Sequence, residues 1–185
     1  MNNVIEKVLK ELEVTSDKFW NVSHQSGNFI NMLIKIMNAK NVLELGTSNG
    51  YSGIWIAEAL KTTGGHLTTI EFWEKRQNLA KEYFQMCGLA DIITCKIGSA
   101  YDVIKEEIKE KFDIVFIDAN KQEYIKYFEV IHPIVRKGGI ILADNVTSHA
   151  KKVEPFIEAI SSHSDYQVQI LDLPDGMLMA YKIQE

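Results

Sequence analysis

The chain has 185 residues, of which 46% are apolar and 24% charged, and its formal net charge is −5 at pH 7. These values exclude a low-complexity composition and suit a globular chain with one sizeable core. The net acidity counts against an extended nucleic-acid surface but leaves room for a small basic patch. Since no apolar run could span a bilayer and the N-terminal residues lack the apolar segment of a signal peptide, we expect a cytoplasmic protein without membrane contacts.

The first forty residues predict helices. Apolar residues recur at helical spacing from Val4 to Leu12, and residues 15–17 offer N-caps for a short second helix. A strongly apolar helix is predicted at 27–38. The Val4–Leu12 stripe would pack on its own domain or pair with another chain, and we expect a homodimer.

From residue 41 onward, short apolar runs rich in β-forming residues alternate with amphipathic helices. The predicted strands lie at 41–45, 66–70, 92–96, 113–117 and 139–143, and the helices between them at 51–61, 73–87, 100–109 and 122–131. A helix at 153–162 then precedes a hairpin of two strands, 167–171 and 177–183, linked by the turn at Pro174–Gly176. This order predicts an α/β, doubly wound and mostly parallel sheet with an antiparallel C-terminal strand. We expect one domain over 1–185, with a helical segment at 1–40 and the sheet at 41–185.

The first predicted strand ends in a glycine-rich turn. Gly46 and Gly50 frame a loop that leads into the next helix, where the backbone can turn tightly and approach a ligand. The spacing is neither the dinucleotide-binding Gly-x-Gly-x-x-Gly nor a phosphate-binding P-loop. Taken alone, the turn is explained as well by the need to connect a strand to a helix as by ligand binding.

Two acidic residues near this turn strengthen the case for a ligand. Glu71 ends the second predicted strand, where a carboxylate can accept both hydroxyls of a ribose; the alternative is an acid stabilising the N-terminus of the next helix. Glu44 lies inside an apolar strand and therefore needs a partner. It would lie near the cationic end of a cofactor, directly or through water, or form a structural salt bridge.

Taken in order, these motifs resemble class I methyltransferases, and more specifically the metal-dependent catechol and caffeoyl-CoA O-methyltransferase family. The resemblance runs from about Val22 to the C-terminus and implies a Rossmann-like core of seven strands. The segments that carry it are 22–27, 39–46, 50–52, 69–71, 98–100, 112–121, 143–145 and 173–176.

The resemblance implies a role for each matching residue. S-adenosyl-L-methionine would bind at Val22, Glu44, Gly46, Thr47, Ser52, Glu71, Ala100 and Asp118. Glu44 and Ser52 would hold its amino-acid end, Glu71 its ribose, and Ala100 would border its adenine. One divalent cation, usually Mg²⁺ in this family, would bind at Asp118, Asp144 and Asn145. Lys121 matches the family's general base, which with Asp118 makes the catalytic pair, whereas Asn120 replaces an acid found in many plant members.

The residue types at this second site agree with such a role. Asp118 and the Asp144-Asn145 pair end two predicted strands, and their oxygens are hard ligands suited to magnesium or calcium. Asp118 and the Asp144-Asn145 pair could instead be helix caps or turn residues without a metal. Lys121 could instead be a solvated lysine at the start of a helix. Aromatic side chains near the motifs could wall the cleft or simply pack: Trp20, Tyr51, Trp55 and Trp73.

We therefore expect an enzyme that moves a methyl group to a hydroxyl of a catechol-like or related phenolic small molecule with the help of a divalent cation. Three alternatives stay open. The chain could methylate a hydroxylated uridine in tRNA, act as a metal-independent methyltransferase of the same fold, or be a non-catalytic or dinucleotide-binding domain.

Overall fold

The computed structural model of the chain describes residues 2–184, so both ends of the predicted 1–185 domain, Met1 and Glu185, lie outside the described residues. Seven strands form one sheet in the order β3-β2-β1-β4-β5-β7-β6. The strands are β1 (Asn41–Leu45), β2 (His66–Glu71), β3 (Ile93–Ile97), β4 (Phe112–Ile117), β5 (Val135–Asp144), β6 (Tyr166–Leu171) and β7 (Met177–Lys182). The helices are α1 (Asn3–Glu13), α2 (Ser16–Phe19), α3 (His24–Met37), α4 (Tyr51–Thr63), α5 (Glu74–Met86), α6 (Ala100–Glu107), α7 (Tyr124–Ile131) and α8 (Ala150–Ser162).

The doubly wound, mostly parallel sheet predicted from the sequence is confirmed. Strands β1 to β5 pair in parallel, whereas β7 runs antiparallel to both β5 and β6. The predicted C-terminal hairpin is therefore present, but its second strand lies between β5 and the edge strand β6. The strand order reverses between β1 and β4, which is the switch point where sheets of this class bind ligands.

Helices cover both faces of the sheet. Along β4, Ile114 and Phe116 join the core that packs against α1, α3, α4 and α5, whereas Val115 and Ile117 join the core under α6, α7 and α8. This two-residue alternation explains why the strands read as continuous apolar runs, because both faces are buried. No helix within residues 2–184 is long and apolar enough to cross a membrane.

The apolar stripe of α1 packs on its own sheet. Ile5, Val8, Leu9 and Leu12 are all buried in the first core, which settles the choice between packing and pairing for these four side chains. Other apolar side chains in the N-terminal region remain exposed, notably Val14 directly after α1 and Met32 and Ile36 of α3.

Several element ends differ from the prediction. Helix α3 begins at His24 because the Ser23 hydroxyl accepts a hydrogen bond from the Ser26 amide and caps it. Helix α6 stops at Glu107 because the buried Ile108 adopts an extended backbone. Strand β5 begins four residues early, at Val135, and its pairing with β4 contains an irregularity that the glycines before Ile140 accommodate.

The glycine turn after β1 can be tested by adding one methyl group. Gly46 has φ +102°, and a Cβ there would overlap the carbonyl oxygen of Asp118. Gly46→Ala should therefore lower the free energy of unfolding by about 3 kcal/mol or more beyond any backbone strain. Urea denaturation followed by circular dichroism measures the loss.

Gly88→Ala is the matched control. Gly88 also has positive φ, +65°, but no described atom lies within 4 Å of a Cβ placed there. Its substitution carries only the left-handed backbone penalty of about 1–2 kcal/mol. Equal losses in the two variants would contradict the close approach of β1 and β4.

Candidate active site

A cleft of about 630 Å³ lies at the carboxyl ends of the parallel strands. Its walls are the segments that directly follow β1, β2, β3 and β4, and α2 contributes Phe19 with the adjoining Trp20. The cleft thus occupies the switch point between β1 and β4, where the flanking helices diverge and leave a crevice.

The floor of the cleft is the turn between β1 and α4. The Gly46 amide donates to the carbonyl oxygen of Ile70 at 2.9 Å, and the Asp118 amide donates to the carbonyl oxygen of Leu45 at 2.9 Å. These bonds extend the pairing of β1 with β2 and β4 by one residue. They bring the chain ends that carry Glu71 and Asp118 to either side of Gly46.

Glu71 lies on the cleft wall with its carboxylate held by two backbone amides. Ser48 N donates to Oε2 at 2.8 Å and Trp73 N donates to Oε1 at 2.9 Å. A carboxylate has about four acceptor positions, so two remain for a ligand. This rigid acceptor pair suits a vicinal diol such as a ribose.

Glu44 is completely buried beneath the cleft floor and interacts with hydroxyl groups. Ser52 Oγ donates to Oε1 at 2.6 Å and Thr69 Oγ1 donates to Oε2 at 2.6 Å, while Thr47 Oγ1 lies 2.6 Å from Thr69 Oγ1. Burial raises the pKa of the Glu44 carboxyl to about 7, although the two donated hydrogen bonds favour its charged form. A cation bound above this network would favour the carboxylate.

On the opposite side of the cleft, Asp118 and Lys121 form an ion pair with 2.6 Å between Oδ1 and Nζ. Both side chains are about one-seventh exposed and line the cleft. Lys121 belongs to a short 3-10 turn (Lys121–Glu123) that the Asn120 side chain caps by accepting a hydrogen bond from the Gln122 amide. The turn directs the lysine back toward the strand end it follows.

Asp144 ends β5 beside this pair. The Tyr124 hydroxyl lies 3.2 Å from the carbonyl oxygens of both Ile117 and Asp144, so it ties the ends of β4 and β5 together. Asp144 is 3% exposed, and within residues 2–184 its buried Oδ1 has no hydrogen-bond partner. Burial, and next the charge of Asp118, raise the pKa of the Asp144 carboxyl to about 8.

The oxygens of Asp118, Asp144 and Asn145 fit a hard divalent cation. An unpaired buried carboxylate oxygen is costly, and a cation placed there would remove the cost. Asn145 has φ +63°, a left-handed conformation in the loop 145–148. That loop is held by the C-terminal turn, because the amides of Thr147 and Ser148 both donate to the Asp175 carbonyl oxygen.

The structure therefore divides the residues predicted from the sequence into three groups. Those lining the cleft are Gly46, Glu71, Ala100, Asp118 and Lys121. Those buried in the hydroxyl network below the floor are Glu44, Thr47 and Ser52. Those outside the cleft lining are Val22, which is 6% exposed between α2 and α3, and the pair Asp144 and Asn145 at the end of β5.

The four aromatic residues considered for the cleft fall into two pairs. Trp20 and Trp73 line the cleft and are more than half exposed, whereas Tyr51 and Trp55 are buried in the core. Sequence reasoning missed Arg76, whose guanidinium carbon lies 5.3 Å from the ring centroid of Trp20. Its position in the first turn of a helix that begins at the cleft was the available signal.

Sequence comparison finds relatives with methyltransferase names. A family model described as O-methyltransferase matches residues 2–183. The catechol O-methyltransferase of Niastella koreensis is 38% identical over 136 residues, which is 72% of this chain and 61% of that protein. The caffeoyl-CoA O-methyltransferase 1 of Eucalyptus globulus is 34% identical over 155 residues, 80% of this chain and 63% of that protein. The chain spans about three fifths of the length of these two curated relatives.

Solved structures with cofactor share the fold. The O-methyltransferase from Bacillus cereus in complex with SAH has a TM-score of 0.87 and 30% identity, covering 98% of this chain and 91% of that one. The O-methyltransferase TomG from Streptomyces achromogenes in complex with SAM has a TM-score of 0.85 and 25% identity, covering 100% of this chain and 91% of that one.

The buried Glu44 should make the stability of the ligand-free protein depend on pH. Its pKa rises from 4.5 to about 7 on folding, so between these values the folded state binds more protons than the unfolded state. Stability therefore falls as the pH rises through this window and levels off above it. Glu44→Gln should reduce this slope, leaving the part contributed by Asp144.

Thermal unfolding between pH 4.5 and 8 measures this dependence. Glu74→Gln is the control, because Glu74 is exposed in the first turn of α5 and its loss should leave the slope unchanged. A wild-type slope in Glu44→Gln would show that the carboxyl of Glu44 does not titrate in this window.

Proposed function

The chain belongs to the O-methyltransferase family, and we propose that it transfers the methyl group of S-adenosyl-L-methionine to a hydroxyl of a catechol-like or related phenolic small molecule, assisted by a divalent cation. One observation carries the proposal. A single cleft has a ribose-type acceptor, Glu71, on one side of the Gly46 turn and the Asp118–Lys121 pair, backed by Asp144, on the other. The relatives named for catechol and caffeoyl-CoA support a phenolic acceptor.

The β1–β2 side of the cleft would hold the cofactor. The free acceptor positions of Glu71 take the two ribose hydroxyls, and Ala100, at the start of α6, borders the adenine. The Glu44 carboxylate, with Ser52 and Thr47 around it, would favour the positively charged methionine end through the floor. Val22 would contact the cofactor from its buried position between α2 and α3, outside the cleft lining. When bound, the cofactor supplies an electrophilic methyl group on a sulfonium.

The β4–β5 side would hold the cation, which we propose is Mg²⁺. Asp118, Asp144 and Asn145 offer two carboxylates and an amide oxygen, the hard donors that magnesium prefers. The unpaired Oδ1 of Asp144 and the raised pKa of its carboxyl both support a bound positive charge. When bound, the cation acidifies a hydroxyl chelated there and orients it.

The residues of the chain would then supply positioning and proton transfer. Lys121, whose Nζ lies 2.6 Å from Asp118 Oδ1, would give up its own proton to solvent and then accept the proton of the attacking hydroxyl. Asp118 orients that amine. The residues on the two sides of the cleft would position the acceptor hydroxyl against the cofactor, and such positioning supplies much of the rate acceleration in transfers of this kind. Trp20, Trp73 and Tyr127 provide flat surfaces for a planar acceptor.

We also propose that the chain acts as a homodimer. Val14, directly after α1, and Met32 and Ile36 of α3 are 87%, 52% and 76% exposed, and a second copy of the chain would cover apolar surface in this region.

A methyl-transfer screen tests the proposed function directly. Radiolabelled S-adenosyl-L-methionine is supplied with catechols, hydroxycinnamoyl thioesters or hydroxyuridine RNA, with Mg²⁺ or with EDTA. We expect transfer to a catechol or a thioester, lost in EDTA and restored by excess Mg²⁺. Transfer to RNA alone would replace the small-molecule proposal, and full activity in EDTA would remove the cation from it.

Asp144→Ala separates the cation role from the cofactor role. We expect transfer to fall by at least about 100-fold, while calorimetric binding of S-adenosyl-L-methionine stays within about threefold. The variant should fold, because it loses a buried carboxyl whose Oδ1 has no partner in the described part of the chain. Asp91→Ala, an exposed acid before β3, is the matched control and should keep full activity. Equal loss of cofactor binding and transfer in Asp144→Ala would contradict the division of the cleft.

A further inference from the structure

Three metal-ligating side chains meet at the edge of the sheet opposite the cleft. His132 begins a 3-10 turn (His132–Ile134) that leads into β5, His163 follows α8, and Asp165 directly precedes β6. Strands β5 and β6 both run antiparallel to β7, so their amino ends lie at the same edge. The cleft lies at the carboxyl ends, and the two regions share no residue.

The side chains of this cluster converge on one carboxylate. His132 Nε2 lies 3.8 Å and His163 Nδ1 lies 3.9 Å from Asp165 Oδ2, and one ligand atom from each residue lies within 4.8 Å of the other two. A tetrahedral Zn²⁺ with bonds of about 2.0–2.2 Å would need ligand atoms roughly 3.3–3.6 Å apart. The two distances to Asp165 Oδ2 exceed this spacing by a few tenths of an ångström, and the 4.8 Å limit on the three ligand atoms exceeds it by about 1.2–1.5 Å, so side-chain rotations would have to bring the ligand atoms together.

Neighbouring groups orient both imidazole rings for metal binding. The Nδ1 of His132 lies 3.2 Å from the Tyr166 hydroxyl, which can accept its proton and leave the Nε2 lone pair facing Asp165. The Asp165 amide donates a 3.2 Å hydrogen bond to the Nδ1 of His163, so a metal ion bound at this nitrogen would take the place of that hydrogen bond. A histidine ligand is commonly oriented by a partner on its second nitrogen, as the Tyr166 hydroxyl is for His132.

The surroundings of the cluster limit the possible ions. Phe128 packs against the rings of both histidines, at 5.9 Å and 5.8 Å between centroids, and shields one side of the cluster. The buried Lys182 ammonium donates to the carbonyl oxygens of His132 and Val135. Two imidazoles with one carboxylate suit a transition-metal ion rather than magnesium.

We propose that His132, His163 and Asp165 form a binding site for a transition-metal dication of the Zn²⁺ type, with water as the fourth ligand. All three side chains are partly exposed, between 18% and 32%, which gives the ion and the water access. The ion would link the start of β5, the end of α8 and the start of β6. Because the folded state alone assembles these ligands, metal binding stabilises it. The site does not depend on the proposed methyl transfer.

Titration of the full chain, freed of any affinity tag and of metal, with Co²⁺ and then Zn²⁺ tests the site. We expect one equivalent of Co²⁺ to produce visible absorption bands of a low-coordinate, nitrogen-containing site, and Zn²⁺ to displace them. Zn²⁺ at 100 times its Kd should raise the unfolding temperature by roughly 5–10 °C. Absence of the Co²⁺ bands in the wild-type chain would overturn the proposal.

Matched variants assign the ligands. His163→Gln and Asp165→Asn should each weaken Co²⁺ binding at least 30-fold, whereas His66→Gln, a histidine on β2 bonded to Thr94, should bind as the wild type does. Asp144→Ala should keep the Co²⁺ absorption bands of the nitrogen-containing site, because the cation proposed for the cleft has only oxygen donors, and this separates the two sites. Unchanged Co²⁺ binding in His163→Gln, or its loss in Asp144→Ala, would overturn the assignment.

A measurement on the wild-type chain covers the case in which a variant does not fold. Co²⁺ should shift the imidazole proton resonances of His132 and His163 and leave those of His24 and His66 in place. Paramagnetic shifts confined to other histidines would contradict the proposal.

Discussion

The meeting of β1 and β4 behind Gly46 is the constraint on which the site depends. The Asp118 amide bonds to the Leu45 carbonyl, and the Asp118 carbonyl oxygen approaches Gly46 so closely that no side chain fits between them. This contact closes the sheet at the point where its strand order reverses. It sets the separation between Glu71 on one side and the Asp118–Lys121 pair on the other, and hence the space in which a methyl group would travel between two ligands.

Two buried carboxyl groups, those of Glu44 and Asp144, lie on either side of this contact, and burial disfavours the charged form of each. Glu44 is surrounded by hydroxyl donors, whereas Asp144 has one oxygen without any partner in the described chain. In both cases burial raises the pKa, so each site is most stable when a positive charge is nearby. The chemistry proposed for the cleft brings a cationic group to each side, which would turn the cost of burying these carboxyl groups into binding energy for the ligands.

Much of this arrangement could be predicted from local sequence patterns. Glu44 stood out as a charge in an apolar strand, and Glu71, Asp118 and Asp144 as acids at strand ends, because these signals need only the position of a residue in its own element. The continuous apolar runs of β4 and β5 likewise predicted burial on both faces.

Other features depended on contacts between distant segments and were not predictable in this way. The insertion of β7 between β5 and β6 reflects pairing rather than propensity. The same holds for Arg76 against Trp20, and for the Tyr124 hydroxyl between the carbonyls that end β4 and β5. The five histidines looked dispersed in sequence, yet His132 and His163 lie with 4.6 Å between their ring centroids because α8 returns the chain to the amino end of β5.

The two edges of the sheet therefore differ in their contribution to stability. The carboxyl edge keeps unpaired or protonatable acids buried and a glycine at positive φ, features that cost stability and for which the binding of the proposed ligands would compensate. The amino edge has the opposite character: Lys182 is buried but bonded to two carbonyl oxygens, and aromatic rings pack around His132 and His163. A metal link at the amino end of β5 would raise the free energy of unfolding, which the features of the carboxyl edge lower, and it would do so without occupying the cleft.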